Sequence, residues 1–434
     1  MEIKVTVQIG DREVELRKTL GGAPAEREEG AHALGREVGR VASEAALNES
    51  ADQVRHPCCC GRSMQNRGRS AITLQGLDGP QRIVRRRYRC QSCGRETYPA
   101  DGLLETGRHR ITGPLAKRVC QLATVEHFTR LPQLVFDQHG VRLSHNEIVP
   151  VVHDVGGAIE SQRLAEVLTW QDSADKHWPA PEVTPKRVYV RCDGIMYCTN
   201  EREPHPDDPQ RQRLRWQQMR VGCVYWQDED DHWHKQVVWG REDAGTFGAS
   251  LYRVACRCGY QQAEERIFAA DGAEWCWSIH QDYFAAAHGI LDWYHASEHV
   301  WDTAGVLHPD NDDARKKWAE ECLTILHDQG GPGVVTWLPD EKKRWCRKKR
   351  QAVEKLLNYI QPRTDRTLYP AYRRRGWQIG SGMIESTAKQ LVGLRLKGPG
   401  MHWSEAGALA VTALRATALN GHWHKTWHTL TLNA

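Results

Sequence analysis

The chain has 434 residues, of which 40% are hydrophobic and 26% charged, with a formal net charge of +4. That length exceeds one ordinary core and calls for several domains, while the near-neutral balance excludes a uniformly polybasic binder, so any nucleic-acid surface has to come from local clusters. The absence of a run of about 18 apolar residues excludes a predicted membrane span, and the opening MEIKVTVQIG lacks an apolar signal core, so a cytoplasmic location is expected.

In chain order, residues 1–20 alternate as a short strand, with Val5, Val7 and Ile9 on one face. Residues 24–54 read as a polar helix with a thin apolar stripe of Leu34, Val38, Val41 and Ala45. A cysteine-rich segment follows over 56–100, then an apolar-periodic stretch over 111–168 that predicts several helices, and a proline-bearing linker over 170–186. Beyond it KRVYVRCDG, RVGCVYW and HKQVVWG are short strand-like runs. DAGTFGASLYRVACRCG predicts a helix ending at Gly259, RIFAADGA a strand, the segment through Trp277 to Ala287 a helix, and GILDWYH a last strand. Residues 296–370 read as charged helices, and 380–425 as two helices joined by a loop. Three strands, a helix, a strand, a helix and a strand is the element order of an RNase H-like domain. The predicted class is therefore α+β and multi-domain.

Asp193 follows the apolar run Val188, Val190, Cys192, and Asp271 follows Ile267–Ala270, so both are expected at or just past the end of a buried strand. Each is followed by a glycine, Gly194 or Gly272, which lets the backbone turn sharply. Either Asp-Gly alone reads as an ordinary turn. Together with Glu385, in the first turns of a helix that Ser381 or Gly380 starts, they form a constellation. Neighbouring carboxylates repel unless a cation lies between them. Hard divalent ions such as Mg²⁺ or Mn²⁺ take oxygen ligands, and a pair of them suits phosphodiester chemistry.

Fourteen cysteines in a reducing compartment point to metal ligands or buried small hydrophobes. Cys58-Cys59-Cys60-Gly61 and Cys90-Gln91-Ser92-Cys93-Gly94 have the spacing of two zinc knuckles. The second is regular, with Cys90 and Cys93. The first leaves open whether Cys58 and Cys60, or His56 and Cys59, supply its ligands. Cys256-Arg257-Cys258-Gly259 has no second knuckle nearby and reads as a helix end. Between the knuckles Arg82, Arg85, Arg86, Arg87 and Arg89 look like a phosphate-contacting strand, although solvated charge on an edge strand has the same pattern. Further basic clusters are KKRWCRKKR at 342–350, Arg373–Arg375, and Arg395 with Lys397.

CDG at 192–194, FAADGAEWCW at 268–277, ILDWYHASEHVW at 290–301 and GWQIGSGMIESTAKQLVGLRLKGPGMHWS at 376–404 resemble the bacterial insertion-sequence transposases of the DDE class, and within them the ISKra-type group, related to the Mutator superfamily. With the cysteine segment the resemblance runs from 56 to about 427. It implies catalysis by Asp193, Asp271 and Glu385 holding two Mg²⁺ or Mn²⁺ ions, and a structural Zn²⁺ on Cys58, Cys60, Cys90 and Cys93. The Mutator D-x-x-H pattern falls on Asp292 to His295 and implies that His295 touches the scissile phosphate or orients a carboxylate, or else Asp292 and His295 cap the next helix. Arg395 and Lys397 lie in the family block and join Arg85, Arg86 and Arg87 as expected DNA contacts. The 114 residues between Asp271 and Glu385 imply a helical insertion. The expected domains are 1–55, an N-terminal strand and helix; 56–110, a zinc ribbon; 111–185, a helical region of helix-turn-helix type and a linker; 186–295, the first part of the core; 296–375, the insertion; and 376–434, the core's C-terminal helices. The implied function is binding of transposon-end DNA, cleavage and strand transfer by an oligomer on double-stranded DNA in the bacterial cytoplasm. The rival readings are a DNA-binding descendant that no longer cuts, and a metal nuclease of the same fold without strand transfer.

Overall fold

The structure, a computed structural model, describes residues 1–53, 60, 63–103, 109–173 and 179–430. The chain packs into two units, one of Met1–Ser161 with the stretch from Ala406 on, the other of Gln162–Glu405.

In the first unit, β1 (Glu2–Ile9) and β2 (Arg12–Thr19) form an antiparallel hairpin. The expected single strand over 1–20 is thus two strands, because Gly10 takes a left-handed φ of 57° and closes a two-residue turn with Asp11. Helix α1 (Pro24–Gln53) follows, then a three-stranded antiparallel sheet of β3 (Gln65–Gly76), β4 (Gly79–Arg89) and the short β5 (Glu96–Thr97). Asn48 fastens α1 to β4, donating to the Arg82 carbonyl at 2.9 Å and accepting from the Val84 N–H at 2.8 Å. Ala51, Leu74, Ile83 and Ala100 fill the space beneath the helix. Then come α2 (Ala100–Leu103), α3 (Gly113–Ala123), α4 (Leu131–His139) and α5 (His145–Asp172), which extends from the first unit into the second.

The second unit is built on a five-stranded sheet. Strands β6 (Arg187–His205), β7 (Asp208–Gln227) and β8 (Trp233–Gly240) run antiparallel in a meander. Helix α6 (Ala244–Arg257) then leads to β9 (Glu265–Ala270), parallel to β6, and α7 (Glu274–Tyr283) to β10 (His288–Leu291), parallel to β9. The spatial order is β10-β9-β6-β7-β8. Three antiparallel strands extended on one side by two parallel ones is the RNase H-like arrangement, and the α+β, multi-domain class follows.

Alternation along β6 divides the sheet's two faces. Cys192 lies toward α7, where the Cys276 thiol approaches its carbonyl at 3.9 Å. Gly222, paired with Cys192, leaves no room for a Cβ beneath Leu251 and Phe247 of α6. The side chains of Tyr189, Arg191 and Asp193 point to the other face.

After β10 the chain enters α8 (Trp293–Leu307), α9 (Asp312–Lys343, broken at Gly330 with φ 72°), α10 (Arg347–Ile360), a 3-10 turn (Gln361–Arg366) and α11 (Tyr369–Arg374). These are the charged helices expected over 296–370. Helix α12 (Gly382–Ala388) returns to the sheet's open face, continues through a π turn (Lys389–Gly393) and ends in α13 (Leu394–Leu396). Lys235 of β8 ties α12 and the π turn down through Thr387 and Gln390, at 3.4 and 2.9 Å.

Helices α14 (Glu405–Leu419) and α15 (Trp423–Thr429) complete the chain. All of 376–434 was expected with the core, whereas from Ala406 the chain packs with the first unit. Gly156 of α5 permits one of these contacts: a Cβ there would sit 2.3 Å from the Ala410 carbonyl oxygen, so two backbones meet where only glycine fits. The Cys256–Cys258 motif is a helix end, as read: Cys258 is the C-cap of α6 and both thiols are buried and pushed up to about 12 by desolvation.

Candidate active site

Strand register assembles the acids. Arg191 pairs with Ala269 across β6 and β9, and Leu291 with Ala270 across β10 and β9. Continued along β6 and just past the ends of β9 and β10, the same register sets Asp193 opposite Asp271 and Asp271 opposite Asp292. Neighbouring strands are about 4.8 Å apart, so three aspartates line one edge of the sheet. Helix α12 packs on β6 and β7 and adds Glu385. Asp193, Asp271, Asp292, His295, Ser381 and Glu385 line one cleft of about 180 Å³.

One expectation about the glycines is corrected, that for Gly194; Gly272 bends the chain just past β9 as expected. Asp193 does not end its strand, because β6 continues to His205 and Gly194 stays extended within it. What Gly194 provides is space: a Cβ there would lie 2.2 Å from the Gln218 side chain. Gly272 likewise makes room for Tyr359, whose ring and hydroxyl would stand 2.9 Å from a Cβ.

Each carboxylate has its own support. Asp193 accepts from the Gly194 N–H at 2.6 Å. Asp271 accepts from the Ala273 N–H at 2.9 Å, and its carbonyl takes the Trp277 indole N–H at 2.7 Å. Glu385 accepts from the Ser381 hydroxyl one helical turn earlier. Gly380 gives the Tyr294 ring access at the start of this helix, since a Cβ there would be 2.7 Å from the ring. Burial raises the Asp193 carboxyl above the usual carboxylate range; the charges of Asp271 and Glu385 add to this, while the Gly194 N–H and His295 oppose it.

Asp292 both caps and lines. Its carboxylate accepts from the His295 N–H at 3.1 Å as the N-cap of α8. Its other oxygen takes Arg191 Nη1 at 3.2 Å. Burial raises the Asp292 carboxyl, and Arg191 pulls against it. Arg191 is fully buried and also donates through Nε to the Tyr225 hydroxyl at 2.9 Å and through Nη2 to the Gln378 carbonyl at 3.1 Å. One guanidinium thus ties β6, β7, the start of α8 and the segment leading to α12 together, and all of these but β7 carry residues that line the cleft. Sequence reading passed over Arg191. The available signal was a lone charge inside the apolar run VYVRC, which a buried strand tolerates only with partners.

The donor set fits a hard divalent cation: carboxylate oxygens from three segments in a small polar cleft, with charges that oppose one another when no cation lies between them. The carboxylates do not close to 4.8 Å of one another; among the described residues the group of three or more metal-type donors that does is Cys60, Cys90 and Cys93. In the absence of a divalent ion, Asp193→Asn is expected to raise stability at pH 7 by about 1 kcal/mol, since sites of this kind trade stability for function. The sign follows from the raised carboxyl: stability from this group is present at low pH and lost as pH rises through its folded pKa. Thermal unfolding in EDTA checks this, and an unchanged or lower midpoint for Asp193→Asn would contradict it.

No protein-family model matches the chain, and no curated protein does. Among solved structures, the chain is similar to the Drosophila P element transposase strand transfer complex at 9% identity over 71% of this chain and 92% of that one, with a TM-score of 0.35. A likeness that slight bears no weight for function.

In the first unit, Cys60, Cys90 and Cys93 bring their sulfurs within 4.8 Å of one another. Cys60 has φ 54°, and Gly94, with φ 70°, donates its N–H to the Cys90 carbonyl at 3.0 Å, which closes the second knuckle. Cys58, Cys59 and His56 lie outside the described residues.

The expected DNA contacts separate by burial. Arg85 is buried, paired with Asp101 and stacked over Tyr98 at 4.3 Å. Arg395 is 1% exposed and lies over Trp403 at 4.8 Å. Both guanidinium groups are enclosed by protein in this structure. Arg86 pairs with Asp52 at 2.9 Å, Arg87 reaches the Arg67 carbonyl at 3.4 Å, and Lys397 is exposed. Within 342–350, Lys342, Lys343 and Arg344 are paired with Glu354, Asp340 and Glu341, so part of that charge is neutralised internally.

Proposed function

We propose that the protein is a DDE-type transposase that cleaves and joins DNA strands at the cleft of Asp193, Asp271 and Glu385. The observation that carries this is the convergence in one cleft of Asp193 within β6, Asp271 just past β9 and Glu385 on α12, over an RNase H-ordered sheet. Asp193, Asp271 and Glu385 would hold divalent cations, Mg²⁺ or Mn²⁺. Bound there, such ions lower the pKa of an attacking water or 3′-hydroxyl and offset charge on the leaving oxygen. Ser381 keeps Glu385 turned into the cleft by its hydroxyl hydrogen bond. The Ala273 N–H and the Trp277 indole fix the Asp271 loop from both sides. His295, 3.5 Å from Glu298 and on the cleft wall, can carry a proton and present positive charge to a phosphate oxygen. Arg86, Arg87 and Lys397 remain as candidate contacts to double-stranded DNA, and oligomerisation on paired ends belongs to the same reading.

The test is a supercoiled plasmid bearing the DNA that flanks the coding sequence, incubated with the protein and Mg²⁺ or Mn²⁺. Joined strand-transfer products are expected. Cleavage without joining would assign a nuclease, and binding without cleavage a DNA-binding descendant; either sinks the transposase reading.

Cys60, Cys90 and Cys93, with Cys58, would hold a structural Zn²⁺ in the first unit. About one zinc per chain is expected by metal analysis of the purified protein, falling for Cys93→Ser together with its thermal midpoint. A metal-free wild-type protein of equal stability would remove the site.

A further inference from the structure

A second cleft, of about 380 Å³, opens beside Gly272, the residue next to Asp271. Its walls are Trp277, Ser278 and Gln281 of α7 on one side and Arg363 and Arg366 of the 3-10 turn on the other. Both arginines are held against aromatic rings. Arg366 lies over Trp277 with its carbon 4.0 Å from the ring centre, and Arg363 over Tyr359 at 4.5 Å. Arg363 also donates to the Tyr359 carbonyl at 2.7 Å and reaches the Gly272 carbonyl at 3.5 Å. A stacked guanidinium keeps its planar fork in one orientation, so less entropy is lost when it engages a partner.

The charge of these arginines is only partly answered. Asp365 stands 3.7 Å from Arg366 but is largely exposed, and Glu274 is the acid on the cleft wall. Two cations against one wall acid leave the cleft positive, next to the carboxylate-lined cleft. The same indole that carries Arg366 donates to the Asp271 carbonyl. An anion bound here is therefore one side chain removed from the backbone that presents Asp271.

We infer that this cleft binds the phosphodiester backbone of the DNA strand as it leaves the reacting phosphate, with Arg366 and Arg363 as its phosphate contacts. The inference rests on the proposed function and names where the substrate strand runs. A strand with its reacting phosphate at Asp193, Asp271 and Glu385 has to leave that cleft, and stacked arginines beside the neutral amide of Gln281 suit a phosphate and its sugar.

The experiment measures binding of labelled duplexes to the full chain in EDTA, so that no strand is cut. Each duplex carries one neutral methylphosphonate at a different position. For the wild type, one or two adjacent positions are expected to weaken binding about 10-fold. Arg366→Gln is expected to bind the unmodified duplex about 10-fold more weakly, to lose nothing further from the methylphosphonate at those positions, and to lower the salt dependence by roughly one phosphate contact. Ser278→Glu, at an exposed position with no internal role beyond its own helix, places a negative charge in the cleft and is expected to weaken binding similarly even if Arg366→Gln does not fold. Wild-type affinity in both variants, or losses that multiply at every methylphosphonate position, would overturn the inference. Position-specific coupling in a protein that never cleaves would uphold it and sink the catalytic reading; a wild type that binds no DNA overturns both.

Discussion

Asp193→Asn, Asp271→Asn and Glu385→Gln are each expected to lower metal-dependent DNA cleavage by about 10³-fold or more while leaving DNA binding within a few-fold of wild type. Each change removes one charged oxygen ligand and keeps the shape. Asparagine at 193 retains an acceptor for the Gly194 N–H, and glutamine at 385 retains one for Ser381. What is lost is affinity for the cation, whose contribution to transition-state charge is several kcal/mol, with each 1.4 kcal/mol worth about a factor of ten. A burst assay on labelled duplex with Mg²⁺ and with Mn²⁺ measures cleavage, and anisotropy in EDTA measures binding. Near wild-type cleavage by any one variant would exclude that residue, and loss of binding in step with cleavage would mean that the fold, not the chemistry, had been removed.

Arg191→Met is expected to destabilise the protein by about 3–5 kcal/mol, the range for breaking a buried ion pair from one side. Methionine fills similar volume but leaves Asp292, 3% exposed, without its cation, and strands the Tyr225 hydroxyl and the Gln378 carbonyl. The double variant Arg191→Met with Asp292→Asn is expected to recover part of the loss, because the uncompensated charge is then gone. Denaturant unfolding of the four proteins in the cycle provides the measurement. Additive losses would show that Arg191 acts through packing alone. Activity is expected to fall further than stability explains, since the same guanidinium sets the segment leading to Glu385.

The legible part of the fold came from local pattern. The apolar run before Asp271, the cap-and-period signature of α6 and the C-x-x-C-G knuckle at Cys90 each depend on residues close in sequence, and each formed where expected. The N-terminal hairpin was missed because Gly10-Asp11 was read as part of one alternating run rather than as a turn with positive φ. Asp193 was placed at a strand end because the apolar run stops at Cys192 and a glycine follows, yet a glycine inside a strand can equally make room for a neighbouring side chain, here Gln218.

Charge was the least legible property. Arg85, Arg86 and Arg87 are consecutive in a basic run, yet the first is buried against Asp101 and Tyr98 while the next two are not. Arg395 lies in a conspicuous block and is enclosed under Trp403. Whether a cation faces solvent or a ring depends on what packs against it, and that partner lies elsewhere in the chain.

By itself, the sequence determined which donor chemistry each segment offers and where strongly patterned elements such as α6 and β9 lie, because donor chemistry and hydrophobic period are local. Only the tertiary structure decided that Asp193, Asp271 and Asp292 stand side by side. Strand register aligns residues up to a hundred positions apart, and no local pattern encodes it. The same holds for Arg191, whose meaning appears once the sheet closes over it and Asp292 becomes its buried counter-ion.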